Sequence, residues 1–216
     1  MPMTLWRRWV LTVTAAEVAG FGVPAVAGAL TATSPVAVSV PALLAAGAVE
    51  GLLLGWGQAV VLRRVLPGLE RGRWIGLTSA AAVLAYAIGL LPSTLHAFWQ
   101  QWPPVVLVPV AALLAAVLLN SIGVAQWTVL RGLVPDAGRW VAYSAAAWLA
   151  GLAVFLLFST PLWQPGQALP IVVAIGLAGA LLMAATMAAI TGHAVRRWAT
   201  PAVAQPVTRP VTQSRP

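Results

Sequence analysis

Long apolar stretches alternate with short connections along the chain. Six stretches consist almost entirely of apolar and small residues, and each is long enough to cross a hydrocarbon core about 30 Å thick. We therefore predict transmembrane helices over residues 9–30, 42–62, 74–91, 105–130, 140–158 and 169–192. This pattern indicates an all-α, polytopic membrane protein with one transmembrane domain, residues 1–198. Residues 199–216 repeat Pro-Val-Thr and show no periodicity, so we expect a disordered cytoplasmic tail there.

The connections between these stretches alternate in charge. Arginines precede the first stretch and follow the second, fourth and sixth, whereas residues 31–41, 92–104 and 160–168 contain no Arg, Lys, Asp or Glu. Because positively charged connections stay in the cytoplasm, both termini are predicted to be cytoplasmic. Tryptophans at the ends of the stretches predict an aromatic belt at each interface. On the cytoplasmic side these are Trp6, Trp9, Trp74, Trp127, Trp140 and Trp198.

The composition narrows the class of protein and its partners. Hydrophobic residues make up 61% of the chain and charged residues 7%, which excludes an ordinary soluble domain. A net charge of +8 would suggest nucleic acid in a soluble protein, but these arginines flank apolar stretches, where they set topology and contact anionic lipid. The expected partner is therefore the lipid bilayer and not nucleic acid. All basic residues are Arg and Ala is abundant, which is typical of GC-rich bacteria, so the predicted location is the cell (inner) membrane.

A nine-residue motif occurs twice. Residues 55–63 and 123–131 share Gly-x-x-Gln-x-x-x-Leu-Arg, which places Gln58 with Arg63 and Gln126 with Arg131. A degraded third copy begins at Gly192, with His193 where Gln would be. Each copy ends a pair of helices that begins with Arg-Trp. The sequence therefore predicts three tandem helical-hairpin repeats, over about residues 6–66, 67–134 and 135–198.

Repeats of two helices all have the same orientation in the membrane. They are then related by an axis along the membrane normal, and a pseudo-threefold bundle of six helices is the simplest packing, with a linear array as the alternative. The motif has a structural interpretation. Its Gly permits close helix approach, its Gln can hydrogen-bond across helices, and its Arg lies at the cytoplasmic helix end.

The motif carries a resemblance. In the form Gly-x-x-Gln-Trp-x-x-Leu-Arg, kept best at Gln126-Trp127 and Leu130-Arg131, it resembles that of uncharacterised multi-pass bacterial membrane proteins. The likeness extends over about residues 9–198. It implies a helical membrane fold and brings no activity with it. Two positions depart from the pattern, because Ala59 replaces Trp in the first copy and His193 replaces Gln in the third.

Two acidic residues lie inside the predicted helices. Glu17 and Glu50 lie about 12 Å and about 18 Å from the cytoplasmic helix ends, at 1.5 Å per residue. A charged group at such depth costs about 3 kcal/mol on insertion scales, so both are expected to face the bundle interior. Neither recurs in the other repeats. The residues aligned with them are Ala82, Trp148 and Leu118. Together with Asn120, the two acids form the candidate intramembrane polar site. The structural alternative is that both carboxyls are protonated and only hold helices together.

Two functions remain open on this basis. The first is a non-enzymatic protein that acts by association with other membrane components, either a membrane protein partner or a second copy of itself. The alternative is a small transporter or ligand-binding membrane module in which Glu17 and Glu50 line a cavity. Motifs of nucleophilic or phosphate chemistry are absent, the chain has no Cys, and His96 and His193 lie on opposite sides of the membrane. We therefore predict no enzyme activity, cofactor or metal site, and the sequence leaves the substrate unknown.

Overall fold

The computed structural model describes residues 3–199, and these residues are helical without any strand. The helices are α1 (Leu5–Leu30), α2 (Val36–Leu62), α3 (Arg71–Thr94), α4 (His96–Trp99), α5 (Pro104–Leu130), α6 (Arg139–Ser159) and α7 (Leu169–Ala199). All except the short α4 are long and apolar enough to cross a membrane. The prediction of an all-α protein with six membrane-spanning helices is therefore confirmed. The predicted disordered tail lies outside the described residues, apart from Ala199 at the end of α7.

The helices extend past the predicted spans at several ends, because polar and proline residues outside the apolar stretches still suit a helix end. α1 begins at Leu5, where the Thr4 hydroxyl accepts a hydrogen bond from the backbone N–H of Arg7 at 3.3 Å. α2 and α5 begin directly after Pro35 and Pro103. Hydropathy locates the hydrocarbon-crossing part of a helix, whereas capping groups locate its ends.

The six long helices form a closed ring. Each packs against its neighbours along the chain, with α3 against α5 across the short α4, and α7 packs against α1. The order around the ring is α1, α2, α3, α5, α6, α7. This closure excludes a linear array of hairpins, and it places a space in the middle of the bundle that every long helix can reach.

Glycines of α2 bring it close to both of its neighbours. A Cβ atom on Gly51 would lie 2.7 Å from the Cβ of Ala82 and the Cα of Ser79 on α3, and one on Gly57 would lie 2.5 Å from the Cβ of Ala16 on α1. Lipid tails are as apolar as the helices, so such close packing is a main source of association between helices in a membrane. α2 is therefore held firmly between α1 and α3.

The bundle is tightest at one end, where the Arg-containing connections and both ends of the described chain lie. We call this the arginine end and the opposite end the α4 end. Trp9, Trp74 and Trp140 are almost completely buried at the arginine end, each at most 1% exposed. The prediction that these three belong to an interfacial belt is wrong, because their rings pack against one another and not against lipid headgroups. By contrast, α5 has no buried residue before Ile122.

We expect Gly51→Ala to destabilise the ring. The added methyl group would meet the backbone of α3, and overpacking of this kind typically costs about 1–3 kcal/mol. Gly76→Ala on α3 is the matched control, since a Cβ there meets nothing within 4 Å. Thermal unfolding in detergent should show a lower Tm for Gly51→Ala and an unchanged or higher Tm for Gly76→Ala. Equal Tm values for the two variants would contradict the close contact between α2 and α3.

Candidate functional site

The glutamines of the motif meet at the arginine end. The Gln126 side-chain amide donates hydrogen bonds to Oε1 of Gln58 at 2.7 Å and to Oγ1 of Thr78 at 2.9 Å. Oε1 of Gln126 accepts a hydrogen bond from the indole Nε1 of Trp140 at 2.8 Å. All four side chains are buried. This network joins α2, α3, α5 and α6, which agrees with the structural interpretation of the motif.

A second hydrogen bond ties α7 to the same layer. The indole Nε1 of Trp9 donates to Oγ1 of Thr191 at 3.0 Å, and both residues are buried. His193 is exposed, and its ring nitrogen contacts the carbonyl oxygen of Ala189 at 2.7 Å. His193 therefore does not take the place of a glutamine. Thr191 has the corresponding position in the hydrogen-bonded layer. The sequence could have indicated it, because Thr191 is as far from Arg196 as Gln58 is from Arg63.

The arginines of the motif lie outside the buried network. Arg63 and Arg131 follow the last residues of α2 and α5, and both are exposed. The Arg131 guanidinium lies 5.5 Å from the ring centre of Trp127, which is cation–π distance. These arginines can contact headgroups and solvent, but they do not reach the middle of the bundle.

A cavity of about 340 Å³ occupies the middle of the ring, and residues of all six long helices line it. Its polar groups are few. Glu17 and Glu50 lie on its wall beside Tyr86, and most of the remaining lining side chains are aliphatic or aromatic. Towards the arginine end, the next space measures only about 10 Å³ and lies between Glu17 and the Gln58 layer. The hydrogen-bonded layer thus closes the cavity on that side to anything larger than about one water molecule.

Glu17 and Glu50 face each other from adjacent helices. Both side chains lie on the wall of the same cavity, and Glu50 packs against Gly20, one turn from Glu17, where a Cβ atom would lie 3.2 Å from the Glu50 Cγ. The Tyr86 hydroxyl donates a hydrogen bond to Oε2 of Glu50. Glu17 is 1% exposed, and among residues 3–199 no N–H or O–H group donates a hydrogen bond to either of its carboxyl oxygens. Glu17 is therefore a buried acceptor aimed at a space that can hold a donor.

No cationic side chain of residues 3–199 lies in the cavity wall beside the acid pair, since neither Arg nor His is among its lining residues. A salt bridge joins Arg139 to Asp136 at 3.4 Å, away from the cavity and with both side chains exposed. Both acids lie twelve residues from the arginine end of their helices, which corresponds to about 18 Å along the axis and thus to the middle of each helix. The cavity is an anionic site without an internal counter-ion.

Asn120 does not belong to this site. Leu118 and Ile122 are the residues through which α5 contributes to the cavity, and Asn120 is not part of its wall. Its side-chain amide donates a hydrogen bond to the carbonyl oxygen of Ala116, in the same helix, at 2.8 Å. The structure thus brings together Glu17 and Glu50 but not Asn120. It adds Tyr86, which single-sequence reasoning missed because its contact is made across two helices.

Comparison with known proteins adds no relative. The chain matches no known protein family, no curated protein and no solved structure. The function has to be argued from the geometry of the cavity.

We expect Gln126→Leu to lower stability more than a glutamine substitution at the surface. It would leave the Trp140 indole and the Gln58 carbonyl without their partner, and an unpaired buried polar group costs about 1–3 kcal/mol. Gln100→Leu is the control, because Gln100 is the exposed residue directly after α4. The measurement is Tm in detergent for both variants. If the two changes lower Tm equally, the buried network does not hold the arginine end together.

Proposed function

We propose that this membrane protein binds a small organic cation in the central cavity, as the recognition step of a small transporter. The observation that carries the proposal is the Glu17–Glu50 pair, which shares one cavity without a counter-ion. This function is the transporter or ligand-binding alternative drawn from the sequence. It requires the two acids to lie at one site, and their place in the wall of the same cavity supports it.

Electrostatics favours a positively charged ligand. Two carboxylates side by side in hydrocarbon repel each other, and each has lost its hydration. A cation between them offsets both costs. Aromatic rings on the wall can add cation–π attraction and apolar contact. These rings belong to Phe21, Tyr86, Trp148 and Phe155. A volume of about 340 Å³ lies at the lower end of the range for drug-sized ligands, so the site suits a single amine or quaternary cation of that size.

The empty site needs another source of positive charge, and the simplest one is a proton. A carboxyl group that carries a proton can donate a hydrogen bond to its neighbour, so a shared proton would give one Glu17 oxygen a partner in the absence of ligand. Ligand and proton would then compete for the same pair of carboxyls. Such competition is the basis of exchange of one for the other across a membrane.

The predicted repeats and orientation support this function. Glu17, Ala82 and Trp148, which the repeat aligns with one another, all line the cavity, and so do Glu50 and Leu118. Equivalent positions of three hairpins would therefore surround one axis, and the acids would be the specialised residues of the first hairpin. With both termini in the cytoplasm of a bacterial cell, the arginine end is the cytoplasmic end and the cavity lies beyond the closed layer.

Association with other membrane components stays a prediction, as does the absence of enzyme activity. Association would account for exposed apolar helix faces, but lipid accounts for them equally well. The association hypothesis gives no role to an unpartnered carboxyl in a central cavity. The resemblance to multi-pass bacterial membrane proteins is compatible with either function.

We expect the purified protein to bind tetraphenylphosphonium and to lose at least about tenfold in affinity on Glu17→Gln or Glu50→Gln, since each variant removes a desolvated charge. Glu70→Gln is the control, because Glu70 is exposed before α3. Tetraphenylborate has the same shape and the opposite charge, and in a separate measurement it should not bind. Equilibrium binding in detergent is measured for the wild type, the two cavity variants and the Glu70→Gln control. Equal binding of the two ions, or unchanged binding by both cavity variants, would refute the proposal.

Binding should strengthen as the pH rises. If one proton leaves the pair when the cation binds, raising the pH removes the competitor, and the Kd falls by up to about tenfold per pH unit over the range in which the empty pair holds that proton. Titration of the wild type from about pH 6 to about pH 8 tests this expectation. A Kd that is independent of pH would mean that the cation binds without displacing a proton.

A further inference from the structure

A second cavity adjoins the central one. It measures about 510 Å³ and lies between α3, α4 and α5 towards the α4 end. Gly89 and Leu118 line both cavities. A Cβ atom on Gly89 would lie 3.8 Å from Cδ1 of Leu118, which is ordinary van der Waals contact. One side chain, that of Leu118, therefore stands opposite a residue without a side chain where the two spaces meet.

The second cavity exists because α5 contacts its neighbours mainly at the arginine end. Its buried residues begin at Ile122, and the preceding part of the helix is exposed or half-buried. α3 and α5 are thus held together near Gln126, and a gap remains between them further along. The lining of this gap is largely aliphatic, including Leu107, Val110 and Leu114. Such a gap opens towards lipid tails rather than towards water.

α4 lies across one end of the gap and brings aromatic and polar groups to it. The Trp99 indole donates a hydrogen bond to the carbonyl oxygen of Leu91 at 3.0 Å, which fixes α4 to the end of α3. The rings of Phe98, Trp99 and Trp102 pack with centres 4.9–5.3 Å apart. Tryptophan clusters of this kind favour the headgroup region, and their faces attract cations. His96 and Gln100 add hydrogen-bonding groups to the wall.

We infer that the organic cation reaches Glu17 and Glu50 sideways from the bilayer, through the gap between α3 and α5, with Leu118 as the gate. The ligand is then a cation that partitions into the headgroup region, such as a lipophilic amine. The closed layer at the arginine end blocks direct passage from that side, whereas the second cavity leads to the acid pair past a single side chain. This inference rests on the proposed function, and it specifies the class and path of the ligand.

The test is the kinetics of tetraphenylphosphonium binding to the full chain in lipid nanodiscs. Ala115 lines the second cavity and not the central one, one turn before Leu118. Ala115→Trp should lower the association and dissociation rates together, by about tenfold or more, because it narrows the path without touching the acids. Leu118→Ala should raise both rates. Ala112→Trp is the matched control, because Ala112 is an exposed residue of α5 that lines neither cavity.

Each outcome has a distinct meaning. Slower rates in Ala115→Trp and faster rates in Leu118→Ala, with wild-type rates in Ala112→Trp, support the lateral path. Unchanged rates in both Ala115→Trp and Leu118→Ala overturn the lateral path but leave the proposed function standing. Equal effects of Ala115→Trp and Ala112→Trp do the same. A wild type that does not bind the probe at all refutes the proposed function and this inference together.

Discussion

The structure depends on one constraint, which is that polar groups inside a bilayer must find their partners within the protein. Gln126 meets it most fully, because its side-chain amide forms hydrogen bonds with side chains of three other helices. Trp9 and Thr191 meet it in the same layer, and Tyr86 does so for Glu50. Glu17 is the side chain in the cavity wall that departs from it. Thr14, Trp74 and Ser159 also have a buried polar atom without a hydrogen-bond partner among the described residues. Glu17 differs from them because its side chain is acidic and lies in the wall of the central cavity.

Pairing of polar groups also explains why the bundle is uneven along its length. Lipid offers no hydrophobic drive for helices to associate, so contact is strongest where hydrogen bonds and small residues occur. Hydrogen bonds between helices are most numerous towards the arginine end, and α2 adds close contacts at its glycines. The part of α5 before Ile122 makes no hydrogen bond to another of the described helices and contains no glycine, and it separates from α3 to leave the second cavity. A rigid layer next to a looser one follows from the distribution of a few side chains.

The extent to which the sequence predicted this arrangement differs between levels. Hydropathy identified every long helix, because length and apolarity alone decide which segments cross a membrane. Glu17 and Glu50 were identifiable as candidates because an acidic residue at that depth disfavours membrane insertion and is retained only where it has a role. The rotation of each helix was not accessible, so Asn120 was included wrongly and Tyr86 was missed. His193 was predicted from its place beside Gly192. The spacing of five residues that separates Gln58 from Arg63 would have indicated Thr191, which lies five residues before Arg196.

The position of both acids in the first hairpin has a consequence for biogenesis. Each glutamate disfavours membrane insertion of its own helix by about 3 kcal/mol. α1 and α2 are consecutive, and Glu50 lies against Gly20, one turn from Glu17. The two carboxyls can therefore meet before any later helix has been synthesised, and the hairpin can enter the bilayer as a unit with its acids already together. The ring then closes around a pair that the first helices have assembled.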